Sequence, residues 1–273
     1  MPAQAGSPAV WTPACAGMSA RLAQTAMIAA VMIAASAARA EVCAPEPQGE
    51  GRVAAVIDAR TLRLDDGREI RLAAIETRGV DAEALTRLTL GRAVSLHGDS
   101  DAPDRYGRQI AWLFIEGAAR SVQTSLVSDG AALAAGGGLD PACRAELMAA
   151  EAEARQGRRG VWGNRAVIKN AESPGDNWSD IGQFTVVTGR VRSVRQAGAV
   201  TYLNFGRRWT RDFAVTIAKP ALASFEAAGM LPKSLENQWI RVRGLVERRG
   251  GPRIEADRPE QIEIIGADDA AGR

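Results

Sequence analysis

Between Val53 and Ile75, apolar and polar residues alternate with the period of a β-strand, and the alternation pauses at Asp66-Gly67. Val53 and Val56, then Leu62 and Leu64, then Ile70, Leu72 and Ile75 supply the apolar positions. Asp-Gly accepts the positive φ of a tight hairpin turn, so the segment predicts consecutive antiparallel strands with one apolar side. Two more strands are expected over residues 93–96 and 109–115. Between them lies the hydrophilic loop GDSDAPD, which reads as a solvated turn because it lacks the glycine and terminal glutamate of a calcium loop. Ala84, Leu85 and Leu88 have helical spacing and place a helix over residues 81–90. A second helix is expected over 121–129, ended by Gly130. Asp140-Pro141 provides a cap and a first-turn proline for a third, which ends near Gly157 and Gly160. Trp162 is expected to pack the end of that helix back onto the strands. Strands and helices in this mixture predict a mainly β, α+β fold.

Arg71 and Arg108 stand where strands should end. A guanidinium presents a rigid fork of donors matched to phosphate oxygens, so two of them on one face would grip a phosphate from two sides. The surrounding motifs are VIDARTLRL (56–64), RLAAIET (71–77), DRYGR (104–108), SVQTSLVSDGAAL (121–133) and AAEAEARQGRRGVW (149–162). In this order they resemble the staphylococcal nuclease (thermonuclease) family, whose pattern runs VxDGDTxxL, RLxxIDxPE, DxYGR, VNxxLVxxGxA and a helix ending in GxW. Several spaced motifs in sequence are far more specific than any one alone. The resemblance spans residues 51–162. It implies an OB-type barrel with three helices, and an activity that hydrolyses nucleic-acid phosphodiester bonds with a divalent metal, usually calcium. Arg71 and Arg108 would then stabilise phosphoryl charge.

The departures from that pattern fall on the metal and the base. Asp58 stands at the first Asp of DGDT, but Arg60 replaces the second, a principal metal ligand of the family. Glu76 and Thr77 keep the next ligand positions, so Asp58, Glu76 and Thr77 form a degenerate metal set. Arg78 and Gly79 replace Pro-Glu, which removes the family's proposed base. Asp81 or Glu83 would substitute only if the loop after Gly79 turned back into the site. A hard dication needs several oxygen ligands, and a cation in place of one both deletes a ligand and repels the ion. Arg60 can bind an anion, but it cannot acidify a bound water as a metal does. Loss of metal-dependent hydrolysis is therefore expected, with calcium a cofactor only if the site still functions.

The first 40 residues contain no acidic residue, and Arg21 precedes the apolar stretch AMIAAVMIAASA. With Ala38-Arg39-Ala40 behind it, the stretch reads as a secretory signal peptide over 1–40. It is too short to span a bilayer comfortably, so no transmembrane segment is expected after cleavage. Met18 would make a more conventional start than Met1. Export to the periplasm or medium follows, and loss of Arg21 and Arg39 takes the formal charge from +2 to 0. A neutral chain argues against non-specific DNA binding through net charge, so any polyanion site must be a local patch. Cys43 and Cys143 remain, and in an exported chain they most simply form one disulfide. Closing a loop of about 100 residues contributes up to ~4.7 kcal/mol in the chain-entropy model. Buried thiols or metal ligands are the alternative. The lone His97 reads as a surface residue at a strand end.

The nuclease-like domain is assigned to residues 41–163, and residues 164–181 have the Asn, Ser, Pro and Gly content of a linker. Gly136-Gly137-Gly138 reads as a flexible joint. Over residues 182–266, strand signals at 184–194, 201–205, 213–217, 239–247, 253–255 and 261–265, with a helix at 221–228, give the order of a second small OB-like barrel. Residues 267–273 read as a disordered tail. The run NFGRRWTRDF places Arg207, Arg208 and Arg211 around Trp209, with Tyr202 and Phe205 before them. OB-folds hold single strands by stacking bases on aromatics while cations track the backbone. A plain soluble loop with core aromatics is the competing interpretation. Arg190, Arg192 and Arg195 alternate with valines and add a basic face. Three functions stay open: a binder of single-stranded nucleic acid or another polyanion, a working metal-dependent phosphodiesterase, and an envelope scaffold for a protein partner.

Overall fold

The computed structural model describes residues 43–270 except Arg78, Gly138, Leu139 and Trp209. The expected signal peptide therefore lies outside the described residues. The first barrel contains β1 (Pro47–Asp58), β2 (Thr61–Leu64), β3 (Glu69–Leu72), the two-residue β4 (Ile75–Glu76), α1 (Glu83–Thr89), β5 (Ala93–His97) and β6 (Arg108–Ile115). Its strands close in the order β1-β2-β3-β6-β5, with β5 returning to β1. β1 serves two partners because its register slips: Pro47–Arg52 faces β5, and Val53–Asp58 faces β2. Leu62, Leu64, Ile70, Leu72, Leu96 and Leu113 point inward and are at most 2% exposed. The same alternation turns Arg71 and Arg108 outward on the parallel pair β3–β6.

α2 (Val122–Ser128), β7 (Leu133–Ala134) and α3 (Pro141–Gln156) complete this half. Ser121 caps α2 by accepting from the Thr124 amide at 3.0 Å, and Asp140 caps α3 by accepting from the Cys143 amide at 2.7 Å. Cys43 and Cys143 form a disulfide that ties the chain ahead of β1 to the first turn of α3. The three helices fall where periodicity and caps place them.

Residues 164–181 are not a linker. They hold β8 (Ile168–Asn170), which pairs in parallel with the following strand, and α4 (Pro174–Ser179). Asn177 fixes the turn between them, its amide donating to the carbonyls of Asn170 and Ser173. Polar residues here close hydrogen bonds inside a structured connection instead of solvating a free one. Then follow β9 (Phe184–Arg190), β10 (Ser193–Ala197), β11 (Val200–Asn204), β12 (Ala214–Ala218), α5 (Leu222–Ala227), β13 (Trp239–Arg249), β14 (Gly251–Glu255), β15 (Ile262–Ile265) and α6 (Ala267–Ala270). The sheet runs β10-β11-β12-β14-β13-β9-β8, with β15 on the other side of β13. β9 and β10 are two halves of one bent segment. Val191 still donates to Gln238 beside β13, whereas Arg192 already donates to Asn204 of β11. The path β9-β13-β14-β12-β11-β10 thus returns to its own starting segment, and its one parallel step, β12–β14, occupies the place of β3–β6 in the first barrel. The core is Leu203, Phe205, Phe213, Val215, Ile217 and Phe225. Residues 267–270 form a helical turn rather than a disordered tail, and 271–273 lie outside the described residues.

The stretch from Ala40 onward forms one compact unit. Trp162 packs not on the first barrel alone but with Leu133, Ala154 and Val186, so it plugs the seam between the halves. Gly136 is no flexible joint: its φ is +70°, and a Cβ there would meet the Arg243 side chain of β13 at 2.9 Å. Among the described residues, no helix is long and apolar enough to cross a membrane.

Candidate functional site

On the first barrel, the hairpin β2–β3 and the short β4 bring Arg60, Arg71 and Glu76 to one cleft of about 540 Å³. Arg60 sits at the β1–β2 turn, where its amide donates to Asp58 Oδ1 at 2.8 Å. Its guanidinium reaches across to β4. Nη1 lies 2.5 Å from Glu76 Oε1 and donates to the Ile75 carbonyl at 2.6 Å. Arg60 is thus paired with Glu76, one of the residues expected to hold a metal.

Arg108 opens β6 at the same face, one strand from the Arg71 row. Its Nη2 and Nε donate to Asp104 Oδ2 at 2.8 and 3.1 Å, while Asp104 Oδ1 accepts the Arg108 and Tyr106 amides. Asp104 is therefore an orienting residue and not part of a merely solvated turn. Arg108, hydrogen-bonded to it, holds the Asp104 carboxyl below the usual carboxylate range. The Arg108 guanidinium is held above its ordinary value, first by Asp104 and further by the nearby charge of Asp58. It also lies over the exposed Tyr106 ring, 4.9 Å from the centroid.

These residues do not fit a divalent cation. Glu76 is occupied by Arg60, Asp58 accepts a backbone amide, and among the described residues no group of three or more His, Cys, Asp or Glu side chains could hold a metal. Thr77 lies in the turn beyond β4, its carbonyl accepting from the Val80 amide, and Gly79 is exposed at φ +68° where the family has its base.

The second barrel carries a larger groove, about 680 Å³, across the outer faces of β10, β11, β12 and the β13–β14 hairpin. Arg192, Arg195, Arg207, Arg249 and Arg253 line it, with Tyr202 and Asp212 among the other groups. Alternation sets this face: Arg195 pairs with Tyr202, and Ser193 with Asn204, while Leu203 points into the core. A neighbouring depression of about 400 Å³ shares Arg192 and Arg207 and adds Arg208 and Arg211. The loop between β11 and β12 is fixed by Asp212, which accepts the Arg208 amide at 2.7 Å. Its carboxylate occupies the space where a Gly206 Cβ would stand.

Three of the four expected binding residues, Arg207, Arg208 and Arg211, therefore do come together, and Trp209 lies outside the described residues. Phe205 and Phe213 are core, with ring centroids 5.5 Å apart. Arg190 turns away, donating to the Asn237 carbonyl. Sequence reasoning missed Arg249 and Arg253, although RRGGPR across a hairpin carried the signal. It also missed Trp178, whose indole donates to the Arg211 carbonyl at 3.1 Å and lies under Arg248. Arg253 is largely buried between Glu247 and Glu255, at 3.8 and 3.7 Å, and forms part of the groove floor.

A closed five-stranded barrel with helices beside it and outward arginines on its parallel pair defines a nuclease-like or nucleic-acid-binding fold. Residues 73–164 match the family model of staphylococcal nuclease homologues, so the chain carries a domain of that family. The match includes Glu76, Thr77, Gly79 and Arg108, and begins just beyond Arg71. No curated protein matches the chain significantly.

Proposed function

We propose that this chain is an exported nuclease-family protein that holds single-stranded nucleic acid, or a polyanion with the same spacing of charge, without cutting it through a metal. The observation that carries this reading is the Arg60–Glu76 ion pair, 2.5 Å long, at the place the family gives to a cation. An internal guanidinium provides fixed positive charge for a phosphate, but it supplies no acidified water. Support for a strand as ligand comes from the second-barrel groove, where five arginines and Tyr202 line one surface. The leader-like sequence of residues 1–40 and the Cys43–Cys143 disulfide favour an oxidising compartment.

The test is fluorescence anisotropy with a labelled single-stranded oligonucleotide at rising salt, run with calcium and with chelator, followed by gel analysis of the same samples. The expected result is binding that weakens log-linearly with salt, is indifferent to chelation and leaves the strand intact. Calcium-dependent, chelator-sensitive shortening of the strand would overturn the reading.

A further inference from the structure

The floor of the second-barrel groove has a gap in its side chains. Asn204 on β11, Ala214 on β12 and Arg253 on β14 stand in one row across the sheet, paired in register. Neighbouring strands lie about 4.8 Å apart, so Asn204 and Arg253 flank Ala214 from columns roughly 10 Å apart, with a single methyl group between them. Tyr202 is two residues from Asn204 on the same face of β11, and Asp212 reaches the groove from the loop before β12. Arg253 is only 8% exposed, and among the described residues its guanidinium donates no hydrogen bond; its Nε is buried without a partner. Glu247 and Glu255 hold it by charge alone, at 3.8 and 3.7 Å, beyond hydrogen-bond reach. A buried donor left unmatched is costly, so an unmatched guanidinium on a groove floor points to a ligand.

We propose that this gap is a base subsite for guanine, an inference that rests on the reading of the groove as a single-strand site. Arg253 presents donors only. Asp212 presents acceptors only, and although one of its oxygens takes the Arg208 amide, a carboxylate has further lone pairs to offer. Guanine complements both: O6 and N7 accept from one guanidinium, while the N1 and N2 hydrogens donate to one carboxylate. Adenine places an amino group beside N7 and meets the guanidinium with a donor. Cytosine matches the fork through O2 and N3 but gives the carboxylate a single amino group, so it makes fewer bonds than guanine. The Tyr202 ring supplies a face for stacking, and the more exposed arginines of the groove are left for the phosphates.

The experiment removes single atoms from the base. Labelled oligothymidylates carrying one central guanine, 7-deazaguanine, hypoxanthine, adenine or cytosine, or thymine throughout, are titrated into wild type, Arg253→Lys and Asp212→Asn. Lysine keeps a positive charge between Glu247 and Glu255 but loses the fork, and asparagine can still accept the Arg208 amide while turning an amino group to the base. Thermal melts check that both variants fold, and the modified bases test wild type on its own. In wild type, guanine is expected to bind about tenfold tighter than adenine or thymine. Loss of N7 in 7-deazaguanine or of the amino group in hypoxanthine should each remove a large part of that preference. The N7 effect should vanish in Arg253→Lys and the amino-group effect in Asp212→Asn. Equal affinity for every central base, or a preference for cytosine or adenine, overturns the subsite and leaves the groove a strand binder. Guanosine and adenosine are also titrated alone. If no strand binds but guanosine does and adenosine does not, the subsite stands and the strand reading fails; if neither nucleoside binds in that case, both fall.

Discussion

Arg243 Nη1 lies 2.8 Å from Glu151 Oε1, both side chains fully buried, one on β13 of the second barrel and the other on α3 of the first. The pair closes around a single residue of β7: Arg243 donates to the Ala134 carbonyl at 2.9 Å, and the Ala134 amide donates to Glu151 Oε2 at 2.8 Å. β7 pairs with β4, Ala134 opposite Ile75 and Leu133 opposite Glu76. The seam between the halves thus also positions the carboxylate that Arg60 engages.

Removing one partner leaves the other buried charge with only a longer contact, Arg155 at 3.6 Å from Glu151 or Glu263 at 3.8 Å from Arg243, which is costlier than removing both. Arg243→Ala is expected to destabilise the protein by about 3–5 kcal/mol. Glu151→Leu combined with Arg243→Met should recover a large part of that loss. Urea denaturation of the three variants measures it, and a single-variant cost below about 1 kcal/mol would show that the pair is not uncompensated on truncation.

Arg60→Asp with Gly79→Glu should restore the cation site, because it frees Glu76 and adds two carboxylates. Gly79 has φ +68°, so a side chain there costs roughly 1–2 kcal/mol of backbone strain, although nothing lies within 4 Å of its Cβ. Calcium titration calorimetry is expected to show no binding in wild type and binding in the double variant. Heat of calcium binding in wild type would contradict the site geometry.

For the second-barrel groove, Arg195→Ala and Arg249→Ala should each weaken single-strand binding and lower the salt slope by roughly 0.7. Tyr202→Ala should cost about 1–3 kcal/mol of binding and leave the slope unchanged. The contrast separates stacking from charge, and anisotropy at four or five salt concentrations reads both.

The Asp104–Arg108 pair has a definite pH dependence. Asp104 is held below its ordinary range by Arg108, so its contribution is present above that range and is lost as pH falls through the depressed value. Acid should therefore release Arg108 and the turn it opens. Asp104→Asn should have the same effect at neutral pH, weakening binding to a phosphate probe and flattening its dependence on pH at the acid end.

The first barrel was legible because its signals are local: alternation from Val53 to Ile75, the Asp-Gly turn, and the cap Asp140. Arg71 and Arg108 were expected at strand ends; Arg71 lies within β3 and Arg108 opens β6. Residues 164–181 misled, since Asn170, Ser173 and Asn177 look alike in a loose linker and in a tightly hydrogen-bonded connection, and a three-residue parallel strand has no period to detect. Glu151 lies on an Ala- and Glu-rich helix, where nothing local marks it as the buried charge. Its partner Arg243 stands far along the chain in an alternating strand, where nothing local says that a charge faces inward. Arg258, which lines the same cleft as Arg60, was invisible for the same reason. It reaches the first barrel only because two barrels pack, and packing across such a distance leaves no trace in neighbouring residues.

Arg243 paired with Glu151 and Trp162 packed with Leu133, Ala154 and Val186 pin the two described barrels together at more than one point. A strand that touches both the Arg60 cleft and the arginines of the second groove must match a set gap, as a footprint matches a ruler. Shortening that strand should therefore produce a sharp step in affinity at one length instead of a gentle slope.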